Sequence, residues 1–223
     1  LLMLSGLDFY DAINHSLTTM STGGFSTKQA SIAHFDQPIV QYIIIVFMFI
    51  AGTNFTLLYF GFKGRFKKFW TNDEFKWYIG AVGVLVGIIL GVIYFDNVAG
   101  ANFEESFRSV LFQVVSILTT TGYATTDFTT WGSFVTFIFF LLLFTGASAG
   151  STSGGMKLVR VVLLMKNGFL EFKRRLHPSA VIPVHLNNSG VSSKIIYNLL
   201  AFVFFYIFMF VLGSIVMTFL GVD

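Results

Sequence analysis

Two stretches decide the fold: DFYDAINHSLTTMSTGGFST at residues 8–27 and SFRSVLFQVVSILTTTGYAT at residues 106–125. They align without a gap at a constant offset of 98 residues, pairing Phe9 with Phe107, Gly24 with Gly122, Phe25 with Tyr123 and Thr27 with Thr125. Each is followed by a short polar stretch and then an apolar run. Within those runs, FIAGTNF around Gly52 resembles LFTGASA around Gly146. Self-similarity of this kind marks a duplicated structural unit.

The surrounding chain is too apolar for water. Of 223 residues, 55% are hydrophobic and 11% charged, whereas a soluble domain carries about 25% charged residues. Apolar runs occupy residues 38–62, 75–95, 131–156 and 195–222. Each reaches the roughly 20 residues that a helix needs to cross a bilayer. There is no cysteine, which removes disulfide and thiol chemistry. The chain begins inside apolar sequence at Leu1, without the charged leader of a signal peptide. It stops at Asp223 directly after an apolar run, and both ends read as cuts in a longer protein.

Charge placement sets the expected topology. Lys63, Arg65, Lys67, Lys68 and Lys76 share one segment; Lys157, Arg160, Lys166, Lys173, Arg174, Arg175 and Lys194 share another. The stretch 96–105 holds three acids and no base. The positive-inside rule puts 63–76 and 157–194 in the cytoplasm, and 26–37 and 96–105 outside. A basic segment beside a membrane span is ordinary, so no nucleic-acid partner is expected. If 106–125 spanned the membrane, the later basic cluster would fall outside, and Arg108 with a run of threonines would sit in lipid. A re-entrant segment avoids both outcomes. The expected order is pore segment 8–27, helix 38–62, helix 77–95, pore segment 106–125, interrupted helix 131–162 and helix 195–221.

The chemistry lies in the pore segments. At TTTGY (119–123) a short re-entrant helix is expected to end and the chain to turn back outward. The helix C-terminus carries partial negative charge and favours a cation. Extended backbone beyond it can offer carbonyl oxygens in place of a potassium ion's water. Glycine permits conformations that aim successive carbonyls at one axis, and Tyr123 is placed to pack behind the strand. The equivalent in the first unit is STGGF (21–25). Thr/Gly-rich outer turns are the plainer alternative, although they leave the repeat unexplained.

The stretch 146–155 interrupts the 131–162 run with four glycines, and with five Ser/Thr residues counted from Thr145. Non-helical backbone inside a membrane must be buried in protein or line water. We expect a gating loop below the filter, formed by Gly146, Gly150, Ser151, Thr152, Ser153, Gly154 and Gly155. A small-residue helix-packing face is the other reading; a phosphate loop lacks the required spacing. Lys157 either anchors the chain at the cytoplasmic face, biases the loop, or pairs with an acid outside this sequence. Asp127 stands either at the outer mouth or as a cap. His15 is expected to pack or hydrogen-bond, Asn54 to face protein or pore, and Arg108 to face solvent. No GxSxG, HExxH, Cys/His cluster or paired membrane carboxylates point to catalysis.

STGGFST (21–27), TTTGYATTDF (119–128) and GASAGSTSGGMKLVR (146–160), in this order, resemble the TrkH/KtrB family of potassium transporters. The resemblance covers essentially the whole chain. It implies an all-α membrane protein of repeated M1–P–M2 units (helix, re-entrant pore loop, helix) around a pseudo-fourfold pore. Residues 1–62 would be the second repeat, 63–76 a cytoplasmic loop, 77–162 the third repeat, 163–194 a linker and 195–223 the first helix of the fourth. Thr22, Gly23 and Gly24 would line one filter strand, and Thr120, Thr121 and Gly122 another. Potassium would be the transported ligand, with no covalently bound cofactor. The resemblance further implies a multi-pass protein of the bacterial inner membrane, surrounded by lipid. It would form a homodimer with a cytoplasmic RCK-type nucleotide-binding regulatory subunit, for which 157–177 is the expected contact. Two rival functions are an ion-coupled carrier with its site at the broken helix and a non-transporting scaffold.

Overall fold

The computed structural model describes residues 1–96, 102–177, 180, 182–187 and 189–221. The chain divides into two compact units, Leu1–Val159 and Arg160–Asp223. Part of the acidic stretch 96–105, four positions of the 163–194 segment and the last two residues lie outside the described set.

The first unit opens with α1 (Phe9–Met20), started by Asp8, whose carboxylate accepts from the Asp11 amide at 2.7 Å. An extended segment and a 3₁₀ turn (Ser31–His34) lead to α2 (Pro38–Ala51), with proline in its first turn. There the expected 38–62 helix breaks. It resumes as α3 (Phe55–Phe62) after a bend of 107°. Gly52 ends the first piece, and Asn54 caps the second by accepting from the Thr56 amide at 2.8 Å. Helix α2 alone is about 21 Å long at 1.5 Å per residue.

A short helix α4 (Lys67–Thr71) lies inside the basic stretch, and α5 (Asp73–Phe95) starts four residues before its expected position. Asn72 sets that start by accepting from the Phe75 amide at 2.9 Å. Next come α6 (Phe103–Leu118), a 3₁₀ turn (Phe128–Trp131), α7 (Ser133–Leu142), β1 (Thr145–Gly146) and β2 (Met156–Lys157). The two short strands run parallel, with Thr145 opposite Met156, and close the base of the loop between them.

Helix α6 is the centre of this unit and packs on α2, α5 and α7. From Phe112 to Leu118 every residue is buried, so no face of that stretch meets solvent. A helix of this length buried around its whole circumference must satisfy its polar side chains internally. Gln113 donates to the Thr126 carbonyl at 2.8 Å, and Thr119 back-bonds to Val115 at 2.7 Å. Arg108, expected at the solvent, is buried instead. Its guanidinium donates to Gln41 of α2 at 2.7 Å and to Glu104 one turn earlier at 2.8 Å. The Glu104 and Gln41 acceptors compensate its burial.

In the second unit, the 163–194 stretch expected as a linker carries regular structure of its own. Helix α8 (Leu158–Leu176) runs through its first part, followed by a hairpin of β3 (Val184–Leu186) and β4 (Ser189–Val191). Arg174 donates to the Ile182 carbonyl at 2.7 Å and ties the helix to the segment leading into the hairpin. Helix α9 (Ser193–Phe219) is apolar and exposed nearly throughout. Among the described residues, α5 and α9 are long and apolar enough to cross a membrane; α2 and α3 qualify as a bent pair.

Candidate functional site

The segments after α1 and α6 carry the sequence repeat into the backbone. Thr22 donates to Thr19 at 3.1 Å and Gly23 to Thr18 at 2.8 Å. Ninety-eight residues later, Thr120 donates to Ile117 at 3.0 Å and Thr121 to Ser116 at 2.9 Å. Side chains repeat as well: the Thr18 hydroxyl donates to the Phe25 carbonyl at 3.0 Å, and the Ser116 hydroxyl to the Tyr123 carbonyl at 2.7 Å. Left-handed backbone falls at matched positions, with φ of 51° at Thr22 and 57° at Thr120, 67° at Gly24 and 80° at Gly122. A positive φ is rare for a β-branched residue and costs about 1–3 kcal/mol. Two such threonines in equivalent places therefore mark a constraint held by the surroundings. Placing left-handed residues at alternate positions breaks the regular alternation of an ordinary strand.

The two segments meet. A Cβ on Gly24 would stand 1.8 Å from the Thr121 carbonyl oxygen, so the approach requires glycine there. The Ala33 amide donates to the Ala124 carbonyl at 3.0 Å. Tyr123 is buried behind its own segment, and its hydroxyl lies 2.5 Å from the Thr18 hydroxyl and 3.4 Å from the His15 carbonyl. The His15 ring is buried, with Nδ1 2.7 Å from the Asp11 carbonyl and Nε2 2.9 Å from the Ser26 hydroxyl. A carbonyl only accepts, so Nδ1 carries the proton; in the neutral ring Nε2 then accepts from Ser26. The structure thus brings Thr22, Gly23, Gly24, Thr120, Thr121 and Gly122 into one neighbourhood.

Asp127 spends its carboxylate on the turn that follows. It accepts from the Thr129 hydroxyl at 2.6 Å and from the Thr129 amide at 2.9 Å. The hydroxyl first, then the amide, stabilise the carboxylate and hold its pKa below the usual aspartate value.

The loop 146–155 fills the gap between α2 and α3. Ser148 donates its amide to the Gly52 carbonyl at 3.0 Å, and the Thr152 hydroxyl donates to the Ala51 carbonyl at 3.1 Å. The Phe55 amide donates in return to the Gly150 carbonyl at 3.0 Å. Donors and acceptors freed where the α2–α3 run breaks are therefore satisfied by the loop. Asn54, besides its capping role, packs against Gly150, where a Cβ would come within 3.3 Å of its amide nitrogen. The Gly154 amide donates to the Thr120 hydroxyl at 2.6 Å and ties the loop to the second segment. Internally, Ser151 donates to the Ser148 carbonyl at 2.6 Å, and Ser153 accepts from the Ala147 amide at 3.1 Å. Lys157 donates to the Ser153 carbonyl. Gly146 tolerates no side chain, because a Cβ would fall 2.0 Å from the Gly154 carbonyl oxygen. Gly155 closes the loop with a φ of 62°.

Sequence reasoning missed Glu74. Its buried carboxylate accepts from the Ala149 amide at 2.5 Å, and Lys157 also acts on it electrostatically. An acid facing Lys157 thus lies within the chain. A lone glutamate one residue before an apolar run gives no signal of its partner. The Thr18–Ser116 pair was legible, since both fall at one repeat position.

The family model described as "TrkH: Cation transport protein" matches residues 4–221. The Trk system potassium uptake protein TrkH of Escherichia coli (strain K12) is 37% identical over all of this chain, which covers 46% of that relative. The Trk system potassium uptake protein TrkG of the same strain is 30% identical over 99% of the chain and 45% of its own length. The crystal structure of the potassium transporter TrkH from Vibrio parahaemolyticus superimposes with a TM-score of 0.94 at 33% identity, over 100% of this chain and 48% of that one. The chain thus spans about half the length of these relatives.

Proposed function

Because the chain belongs to the TrkH family of cation transport proteins, we propose that it forms two of the repeated pore units of a potassium uptake protein in a bacterial inner membrane. It is a transport protein rather than an enzyme. The residues after α1 and α6 are the selectivity filter strands of these units, and α1 and α6 are their re-entrant pore helices. The observation that carries this reading is the backbone repeat: matched left-handed residues at Thr22/Thr120 and Gly24/Gly122, in segments that touch. Carbonyls of Thr22, Gly23, Gly24, Thr120, Thr121 and Gly122 take the place of the water around K⁺. The membrane potential assists entry by about 2.3 kcal/mol per charge for each 100 mV.

The loop 146–155 is the gate. Its contact with Thr120 supports this role, because it sets the loop against the inner end of a filter strand. The same polar loop would suit a carrier's midplane site, but the paired left-handed segments favour a pore. Lys157 anchors the loop through Ser153, and Asp127 serves the filter's outer turn. The whole protein acts as a homodimer with a cytoplasmic RCK-type nucleotide-binding subunit, met by the basic segment 157–177.

The test is Rb⁺ and Na⁺ flux in liposomes holding the full-length transporter. Gly122→Ser places a side chain on a left-handed residue at a cost of about 1–2 kcal/mol. The expected result is roughly a tenfold or greater loss of Rb⁺ over Na⁺ preference. Unchanged selectivity would remove Gly122 from the filter.

A further inference from the structure

Glu74 is a buried acid that the filter and the loop's own glycines leave unexplained. It sits in the first turn of α5, on a helix that the proposed pore uses only as a wall. A carboxylate taken out of water is costly unless donors surround it. Here the donors come from the loop: the Ala149 amide at 2.5 Å, and the Val159 amide just beyond the loop's exit. One carboxylate therefore grips both the middle of the loop and the first turn of α8 that follows it. The N-terminus of α5 adds favourable dipole charge, and Lys157 adds a cation from the loop's own base. The loop's hydrogen bonds to α2, α3 and the second filter segment are to neutral groups: the Ala51 and Gly52 carbonyls, the Phe55 amide and the Thr120 hydroxyl.

We propose that Glu74 is a positioning residue that latches the 146–155 loop in its closed place, by holding the Ala149 amide with a charged acceptor. This rests on the gate reading given above. When the loop moves aside, the Ala149 amide leaves and the carboxylate loses its closest donor. The buried charge thereby biases the loop toward the position seen here. Glutamate suits the role because charged acceptors bind amides about twice as strongly as neutral ones.

The experiment measures Rb⁺ uptake by the full-length transporter in liposomes, with the loop intact and with residues 147–154 deleted. Glu74→Gln keeps size and removes charge; the intact protein should then show basal flux raised roughly three- to tenfold. Glu74→Asp, charged but shorter, should restore part of the wild-type restraint. In a second readout, a thiol placed by Ser151→Cys should react faster in the Glu74→Gln background. In the loop-deleted transporter, Glu74→Gln should change nothing, because there is no loop to hold. Should the Glu74 variants not reach the membrane, Ala149→Pro removes the same hydrogen bond from the other side and should raise flux alike. Flux that is unchanged, or lowered equally with and without the loop, overturns the latch. If loop deletion raises flux but neither Glu74→Gln nor Ala149→Pro does, the gate stands and the latch falls. If loop deletion leaves flux unchanged, both fall.

Discussion

The turn at 22–25 and the turn at 120–123 share a backbone but not an environment. Both carry left-handed residues at their first and third positions, and in both a hydroxyl on the preceding helix holds the fourth carbonyl. Their surroundings differ. Tyr123 is 1% exposed, whereas its counterpart Phe25 is 76% exposed. Helix α6 is buried on every side near its C-terminus, while α1 leaves Phe9, Tyr10 and Leu17 open. Equal geometry in unequal packing shows that the conformation is set locally, by glycine and by short hydroxyl–carbonyl bonds. Burial adds rigidity to a shape already specified.

The strongest way to break this comparison is to substitute the two matched glycines. Gly24→Ala meets the Thr121 carbonyl at 1.8 Å, whereas a Cβ on Gly122 meets nothing within 4 Å. Gly24→Ala should abolish potassium-limited growth and Rb⁺ flux. Gly122→Ala should cost only the backbone strain of about 1–2 kcal/mol and leave measurable flux. Equal effects would mean that the contact between segments is not as close as described.

A smaller effect should follow removal of the matched hydroxyls. Ser116→Ala frees a buried carbonyl and should destabilise the purified transporter by about 1–3 kcal/mol. Thr18→Val acts at a more exposed bond and should cost about 0.5–1.5 kcal/mol. Thermal unfolding in detergent reads both, and a larger loss for Thr18→Val would reverse the proposed roles of packing and local bonding.

The smallest effect belongs to Asp127. Its carboxylate is exposed and engaged with Thr129. The pKa is lowered in the folded protein, so the cap is fully present at any pH above the ordinary aspartate value. It is lost only as pH falls through the lower folded value. Flux should therefore be flat from neutral pH down to the carboxylate range, and Asp127→Asn should change it by less than about twofold. A steep change between pH 7 and 5 that Asp127→Asn removes would assign Asp127 an electrostatic role at the outer mouth.

Much of this was legible in sequence because the signals were local. The repeat, the glycines at its matched positions and the interruption at 146–155 are covalent patterns, and each imposes a backbone conformation on its own few residues. The break at Gly52–Asn54 was half visible, since FIAGTNF mirrors LFTGASA, but an unbroken apolar run concealed it. Arg108 was misplaced because charge alone points outward; Gln41 lies 67 residues away and no periodicity announces the pair.

What the sequence determined by itself is a membrane chain with two equivalent glycine turns and one polar interruption, because composition and spacing act through neighbours. What the tertiary structure alone decided is where that interruption goes. It lies in the gap between α2 and α3, against Thr120, under the carboxylate of Glu74. Those partners are tens of residues apart, and backbone donors carry no sequence label. Only the folded geometry brings them within hydrogen-bond reach.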